Sequence, residues 1–242
     1  MAARRFAAGQ KGILCYLWAS ILTSEGAPKL SKEDIFVEEL KKAERALSRR
    51  DQKMRELIKH YGPCRVRPHT RYFQTLVGSI ISQQLSTKAA DIIHQRFVGL
   101  YAPVRFPKAA QIIETPDEHL RGTGISFQKI SYIKDLAAKT EDGTLKLSRF
   151  SRMSDDEIIE MLTSVKGIGV WTAHMFLIFS LARMDVFPVG DLGVRRAIQL
   201  RYGFDQLPNP IEMERIADEN GWRPYRSIAS WYLWRSLENK AE

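Results

Sequence analysis

Residues 162–196 read LTSVKGIGVWTAHMFLIFSLARMDVFPVGDLGVRR, and the order of these residues decides the fold. An apolar helical stretch ends at a turn in which Gly167 and Gly169 flank Ile168. A second apolar helix runs on from Trp171, and Pro188 and Gly190 then break the chain to present a single acid, Asp191. Glycine lacks a Cβ, so both turn positions are free to take positive φ and to let a ligand approach the backbone. The amides of the turn and of the next helix start are therefore expected to point outward. Unpaired N–H groups and the positive end of the helix dipole suit a phosphate oxygen there. Such a grip reads the sugar-phosphate backbone and not the bases. Ile168 is expected to bury its side chain between the two helices, and Lys166 to add a cation beside the phosphate. The carbonyls of Thr163, Val165 and Ile168 are candidates to hold a monovalent cation, potassium or sodium, since a helix end also leaves carbonyls unpaired.

Composition agrees with a polyanionic partner. The chain has 242 residues, 44% of them hydrophobic, enough for a substantial core, and a formal net charge of +9. Lysines and arginines that neutralise phosphates release condensed counterions, so a basic excess favours nucleic acid. The excess is concentrated between Arg49 and Arg71, where Arg50, Lys53, Arg55, Lys59, Arg65 and Arg67 also lie, against only Asp51 and Glu56. Cys15 and Cys64 are the only cysteines, too few for a disulfide scaffold or a four-cysteine iron–sulfur cluster. The five histidines show neither H-x-x-x-H nor H-E-x-x-H spacing, so no zinc site is expected.

Helical periodicity runs along the whole chain, punctuated by Pro and Gly, with no internal repeat. Helices are expected over Ser31–Arg50, Asp51–Tyr61, Thr70–Leu85, Thr87–Leu100, Pro107–Glu114, Asp117–Gly122, Phe127–Glu141 and Ser154–Val165. The hairpin pair follows, and then Asp191–Tyr202, Pro210–Asn220 and Pro224–Asn239. Before Ser31, the basic residues Arg4, Arg5 and Lys11 precede an apolar run from Ile13 to Leu22, which imitates a secretory signal. That run is too short to span a bilayer and no disulfide framework follows it. Residues 1–30 are read instead as a loosely attached extension of an intracellular, DNA-associated protein.

Four ordered motifs carry a resemblance. IISQQLS at 80–86, GIGVWTA at 167–173, DVFPVGDLGVRRA at 185–197 and WRPYRSIASWYLWR at 222–235 are similar to the helix-hairpin-helix DNA glycosylase superfamily, and within it to the 3-methyladenine DNA glycosylase II branch. The resemblance spans roughly residues 50–236 and implies an all-α, two-lobed fold with the active cleft between the lobes. Residues 71–191 would form a central lobe carrying the hairpin motif (about 157–183), and residues 31–70 with 192–242 the other. About 70 residues without strand patterning precede the central lobe. They leave no room for the mixed α/β domain of larger members.

The implied reaction cleaves the bond between deoxyribose and an altered purine, through an oxocarbenium-like sugar that a carboxylate stabilises by charge. Asp191 holds the family's catalytic position. By local sequence alone Asp191 is equally a helix N-cap, and the two roles are compatible. Bifunctional relatives carry a nucleophilic lysine where this chain has Trp171, so an abasic site with an intact strand is the expected product. The damaged nucleotide has to leave the duplex, and the family inserts a residue in its place. The matching residue is Gln84, with Leu85 as the alternative. Trp171, Met175, Leu192 and Tyr225 hold the base-pocket positions, Met175 and Leu192 standing where relatives carry aromatic rings, while Trp231 and Trp234 are read as core. No cofactor is required, the partner is double-stranded DNA containing damaged bases, no membrane is involved, and the protein is expected to be a monomer. Two other readings stay open: a non-catalytic helix-hairpin-helix DNA-binding module, and a bifunctional glycosylase and lyase.

Overall fold

The structure is a computed structural model that describes residues 31–238; the N-terminal extension expected over residues 1–30, with Cys15, lies outside them. Contacts divide the chain after Lys42 into two compact units. Among the described residues every regular element is helical and no strand occurs. No helix among them is long and apolar enough to cross a membrane.

Helix α1 (Lys32–Arg50) opens with the reciprocal cap that its sequence announces. The Ser31 hydroxyl accepts from the Asp34 amide at 3.1 Å, and the Asp34 carboxylate accepts from the Ser31 amide at 3.0 Å. Helix α2 (Gln52–Tyr61) is capped by Asp51, whose Oδ1 accepts from the amides of Lys53 (2.8 Å) and Met54 (3.1 Å).

The central helices are α3 (Tyr72–Ser82), α4 (Thr87–Gly99), α5 (Ala109–Glu114), α6 (Asp117–Gly122), α7 (Phe127–Glu141), α8 (Asp155–Thr163) and α9 (Val170–Phe179). Their apolar faces meet in one contiguous core running from Leu76 to Val186, with Val77, Ile80, Phe97, Ile133, Phe150 and Leu177 fully buried. Phe150 reaches it from a 3-10 turn at Leu147–Arg152 that periodicity did not signal. Helix α9 is buried on most of its surface, which fits a sequence apolar all round.

The remaining helices are α10 (Leu192–Tyr202), α11 (Pro210–Glu219) and α12 (Arg226–Arg235), and α12 packs on α2 and α10. One buried acid organises this packing. Asp51 is 2% exposed, and its Oδ2 accepts from Tyr202 Oη at 2.5 Å and Trp222 Nε1 at 2.8 Å. Burial and the adjacent carboxylate push the Tyr202 phenol up, so it remains a donor. Such a network is stabilising only while every partner is present, since an unpartnered buried carboxylate costs several kcal/mol.

Six boundaries differ from expectation by two residues or more. Helix α3 starts at Tyr72 and not Thr70, α5 starts at Ala109 and not Pro107, and α12 ends at Arg235 and not Asn239; the other three lie at the ends of α3 and α8 and the start of α12. Helix α3 ends at Ser82 and not Leu85, because the backbone leaves helical space at Gln83 (φ −50°, ψ 129°) and then turns left-handed at Gln84 (φ 57°). Helix α8 stops at Thr163 and not Val165. The last helix begins at Arg226, two residues after the expected Pro224, because Tyr225 at φ −124° is still outside helical space.

Candidate active site and phosphate grip

Of the two hairpin glycines, only Gly167 takes positive φ, at 77°. A Cβ there would lie 2.1 Å from Cδ2 of the Tyr132 ring on α7, so the glycine lets the hairpin pack flat on that ring. Gly169 is the correction: it sits at φ −98°, ψ 174°, which any residue adopts. A Cβ built on it meets nothing within 4 Å, so nothing inside the fold calls for a glycine here. The free space at Gly169 lies at the start of α9, which has no side-chain cap. The amides of Val170 and Trp171 are left for an outside acceptor.

Ile168 lies as expected, 4% exposed in the central core, its amide on the Val165 carbonyl at 3.1 Å. The outward turn of amides needs a second correction at Lys166, whose N–H donates inward to Asp135 Oδ2 at 2.9 Å while the residue itself is exposed. The same oxygen takes Lys139 Nζ at 2.7 Å, and that ammonium also reaches the Ser164 carbonyl at 2.7 Å. Burial pushes the Asp135 carboxyl up, but these hydrogen bonds and the charges of Lys139 and Lys166 outweigh it and hold it below its ordinary value. Asp135 is a residue that the sequence reading missed.

The loop between α3 and α4 comes to the same hairpin, since Gln83 Nε2 donates to the Gly167 carbonyl at 2.8 Å. Gln84 and Leu85 follow, both exposed, with Leu85 at 38%.

Asp191 closes the turn after Val186, Phe187 and Pro188, which are buried, and its amide donates to the Pro188 carbonyl at 2.8 Å. It caps α10: Oδ1 accepts from the Val194 amide at 2.7 Å. The same oxygen takes Trp234 Nε1 at 2.8 Å, and Oδ2 takes Trp171 Nε1 at 2.6 Å. Three of the roughly four acceptor sites of the carboxylate are thus filled, and the group is 7% exposed in one fixed orientation. The cap and the site position are therefore the same residue. Trp171 and Leu192 beside it are 51% and 64% exposed, an apolar rim around a buried charge. Met175, one turn along α9 from Trp171, is half-buried against the core, and Tyr225 is 7% exposed at the start of α12. Trp234, read from sequence as core alone, packs on that core and on Phe179 at 5.5 Å between ring centres, while its indole N–H serves Asp191. Trp231 is half-buried edge-on to Tyr232. Among the described residues, no three of His, Cys, Asp and Glu group as metal ligands.

A helical fold with a glycine hairpin opening an uncapped helix, and a fixed carboxylate after it, defines a class. Residues 77–223 match the HhH-GPD superfamily of base excision DNA repair proteins, and the chain belongs to that family. Within it, the chain is 36% identical over 209 residues to DNA-3-methyladenine glycosylase 1 of Schizosaccharomyces pombe, covering 85% of this chain and 90% of that protein. Solved structures agree. The Schizosaccharomyces pombe 3-methyladenine DNA glycosylase in complex with abasic DNA superposes with a TM-score of 0.71 at 34% identity, covering 82% of this chain and 98% of that one. The DNA-3-methyladenine glycosidase of Bacillus halodurans gives 0.72 at 34% identity, over 80% and 88%.

Proposed function

We propose that this protein is a monofunctional DNA glycosylase that excises alkylated purines from duplex DNA and so initiates base excision repair. The observation that carries the reading is the Asp191 carboxylate, fixed by Trp171, Trp234 and Val194 on the far side of the hairpin. The glycosidic bond breaks with its electron pair leaving on the base, and a positive charge develops on the sugar. Water then bonds to the anomeric carbon and gives up one proton, for which Asp191 is the nearby base. Two unit charges about 4 Å apart attract by roughly 4 kcal/mol at an effective dielectric of about 20, close to a thousandfold in rate.

An alkylated purine carries positive charge, so an electron-rich ring holds it and the base leaves easily; the exposed face of Trp171 suits this task. No lysine stands at 171, which supports base release without strand cleavage. Gly169 with the amides of Val170 and Trp171 grips a phosphate of the same strand, and Gln84 fills the vacated stack. Among the described residues the Thr163 and Ile168 carbonyls have no hydrogen-bond partner and that of Val165 has only the Ile168 amide, so these three oxygens would hold a monovalent cation, which would supply positive charge at the hairpin.

A duplex with one 7-methylguanine, incubated with the protein and analysed with and without hot alkali, tests the reading. Base release with strand breaks only after alkali is the expected result. Breaks before alkali would make the protein a lyase, and binding without base release a non-catalytic module.

A further inference from the structure

The loop bearing Gln84 has a fastening of its own. Helix α3 ends without a glycine or proline, yet Gln84 adopts a left-handed φ of 57°, a conformation that a residue with a Cβ keeps only where its surroundings over-determine the backbone. Ser82 gives its carbonyl to Leu85 at 3.1 Å, which leaves the carbonyls of Ile81 and Gln83 to be satisfied from elsewhere. Lys129, in the first turn of α7, supplies both bonds: its Nζ donates to Ile81 O at 2.8 Å and to Gln83 O at 2.6 Å. The contact places a cation at the negative end of α3, 46 to 48 residues away in sequence.

Two further observations single this lysine out. It is half-buried, burial lowers its pKa from the ordinary value, and among the described residues no carboxylate pairs with it. The same turn of α7 also reaches the hairpin. Gln128 Nε2 donates to Tyr132 Oη at 2.6 Å, and the Tyr132 ring lies against Gly167, whose carbonyl receives Gln83 Nε2. Lys129, Gln83, Gly167 and Tyr132 therefore form a closed circuit joining α7, the Gln84 loop and the hairpin.

We propose that Lys129 is a positioning residue for base extrusion: it holds the backbone of Gln83 and Gln84 in the conformation that carries the wedge. Through Gln83 it sets that wedge at a fixed offset from the phosphate grip. The role rests on the glycosylase reading above. Lys129 touches no reacting atom, and its effect is confined to the step at which the base leaves the stack.

The test compares Lys129→Met, Lys129→Arg and Gln83→Met with the unaltered protein. Single-turnover excision is measured on one lesion in a paired duplex, opposite a mismatch and in a single strand. Unstacking is hardest in the paired duplex, so Lys129→Met should lose about tenfold or more there and little in the single strand. Gln83→Met should show the same order, and Lys129→Arg should recover part of the loss by restoring donors. A second readout needs no chemistry: 2-aminopurine beside a tetrahydrofuran abasic analogue brightens when a wedge separates the bases. At saturating protein Lys129→Met should give less than half of the wild-type signal. Equal fractional losses on all three substrates, or an undiminished fluorescence change, would overturn the proposal. If Lys129→Met fails to fold, Gln83→Met decides by the same criteria. A wild-type protein that releases no base would sink the glycosylase reading alone, because the fluorescence comparison still judges Lys129.

Discussion

Gly193→Ala separates the stability of the fold from the geometry of the carboxylate. Gly193 is the second residue of α10, and a Cβ built on it lies 3.1 Å from Asp191 Oδ1, 3.1 Å from Trp234 Cδ1 and 3.2 Å from Trp234 Nε1. These distances are short by a few tenths of an ångström. Asp191 has little freedom to give way, because its Oδ1 is tied to the Val194 amide at 2.7 Å within the same turn. The indole therefore moves, and its 2.8 Å bond to Asp191 stretches or bends. On the stability side, alanine gains about 0.5–1 kcal/mol over glycine in a helix, which offsets the crowding. At roughly 2–4 °C per kcal/mol for a unit of this size, the melting temperature should move by no more than about 3 °C. On the catalytic side, a misplacement of about 1 Å costs on the order of a hundredfold, so a few tenths should cost about three- to tenfold. Single-turnover excision from a 7-methylguanine duplex, beside a thermal melt, measures both. In a Trp234→Phe background the same substitution should cost less, since the strained bond is already gone. An unchanged rate would refute the reasoning, and a fall in rate with a large fall in melting temperature would reassign the effect to folding.

Asp191→Asn keeps shape and cap but removes the charge, so excision should fall by about a thousandfold with binding to abasic duplex kept or tightened; comparable turnover would remove Asp191 from the chemistry. Gly169→Ala should leave the melt unchanged and weaken binding to every lesion about equally, because it meets only open space in the free protein. Gly167→Ala should destabilise the fold itself, since its Cβ falls inside the Tyr132 ring; a reversed pattern would exchange the two roles. Burial raises the Cys64 thiol from 9.0 to about 11, so its contribution to stability is complete below pH 9 and is lost as the pH rises through 11. Tyr202 and Tyr232 are pushed up as well and add to the same alkaline loss, so the measurement is the difference between wild type and Cys64→Ala in melts at pH 8 and 10.5. Parallel declines would show that the thiol contributes nothing.

What the sequence made legible was local. Ser31, Ser86, Ser126, Ser154 and Asn209 cap the helices that they precede, and Pro188 with Gly190 delivers Asp191 to the start of α10. What it hid was set by distant partners. The end of α3 has no breaker residue, and its freed carbonyls are taken by Lys129, 46 to 48 positions further on, while Asp135 gives no sign that it will hold an amide 31 residues away. Trp234 looked like one more core aromatic, since its bond to Asp191 spans 43 positions and leaves no period to read. Gly169 misled in the other direction. A glycine pair suggests two unusual backbone angles, whereas only Gly167 has one and the other residue is small for the sake of open space.

The contacts around Asp51 also fix the order in which this chain is able to finish folding during synthesis. The buried residues of the central core have all been made by Val186, so of the apolar side chains packed on those helices only Trp234 is still to come. The outer layer has to wait. Asp51 needs Tyr202 and Trp222, Arg50 donates to the Gly221 carbonyl, and Glu44 and the Gly62 carbonyl receive the Tyr232 hydroxyl across 188 and 170 residues. Asp51 is partnered once Trp222 has been made, but until α12 arrives the face of α2 on which it packs stays uncovered. A chain released a few residues short of Tyr232 would keep a packed centre yet leave that face open, a half-made protein exposed to proteases and aggregation.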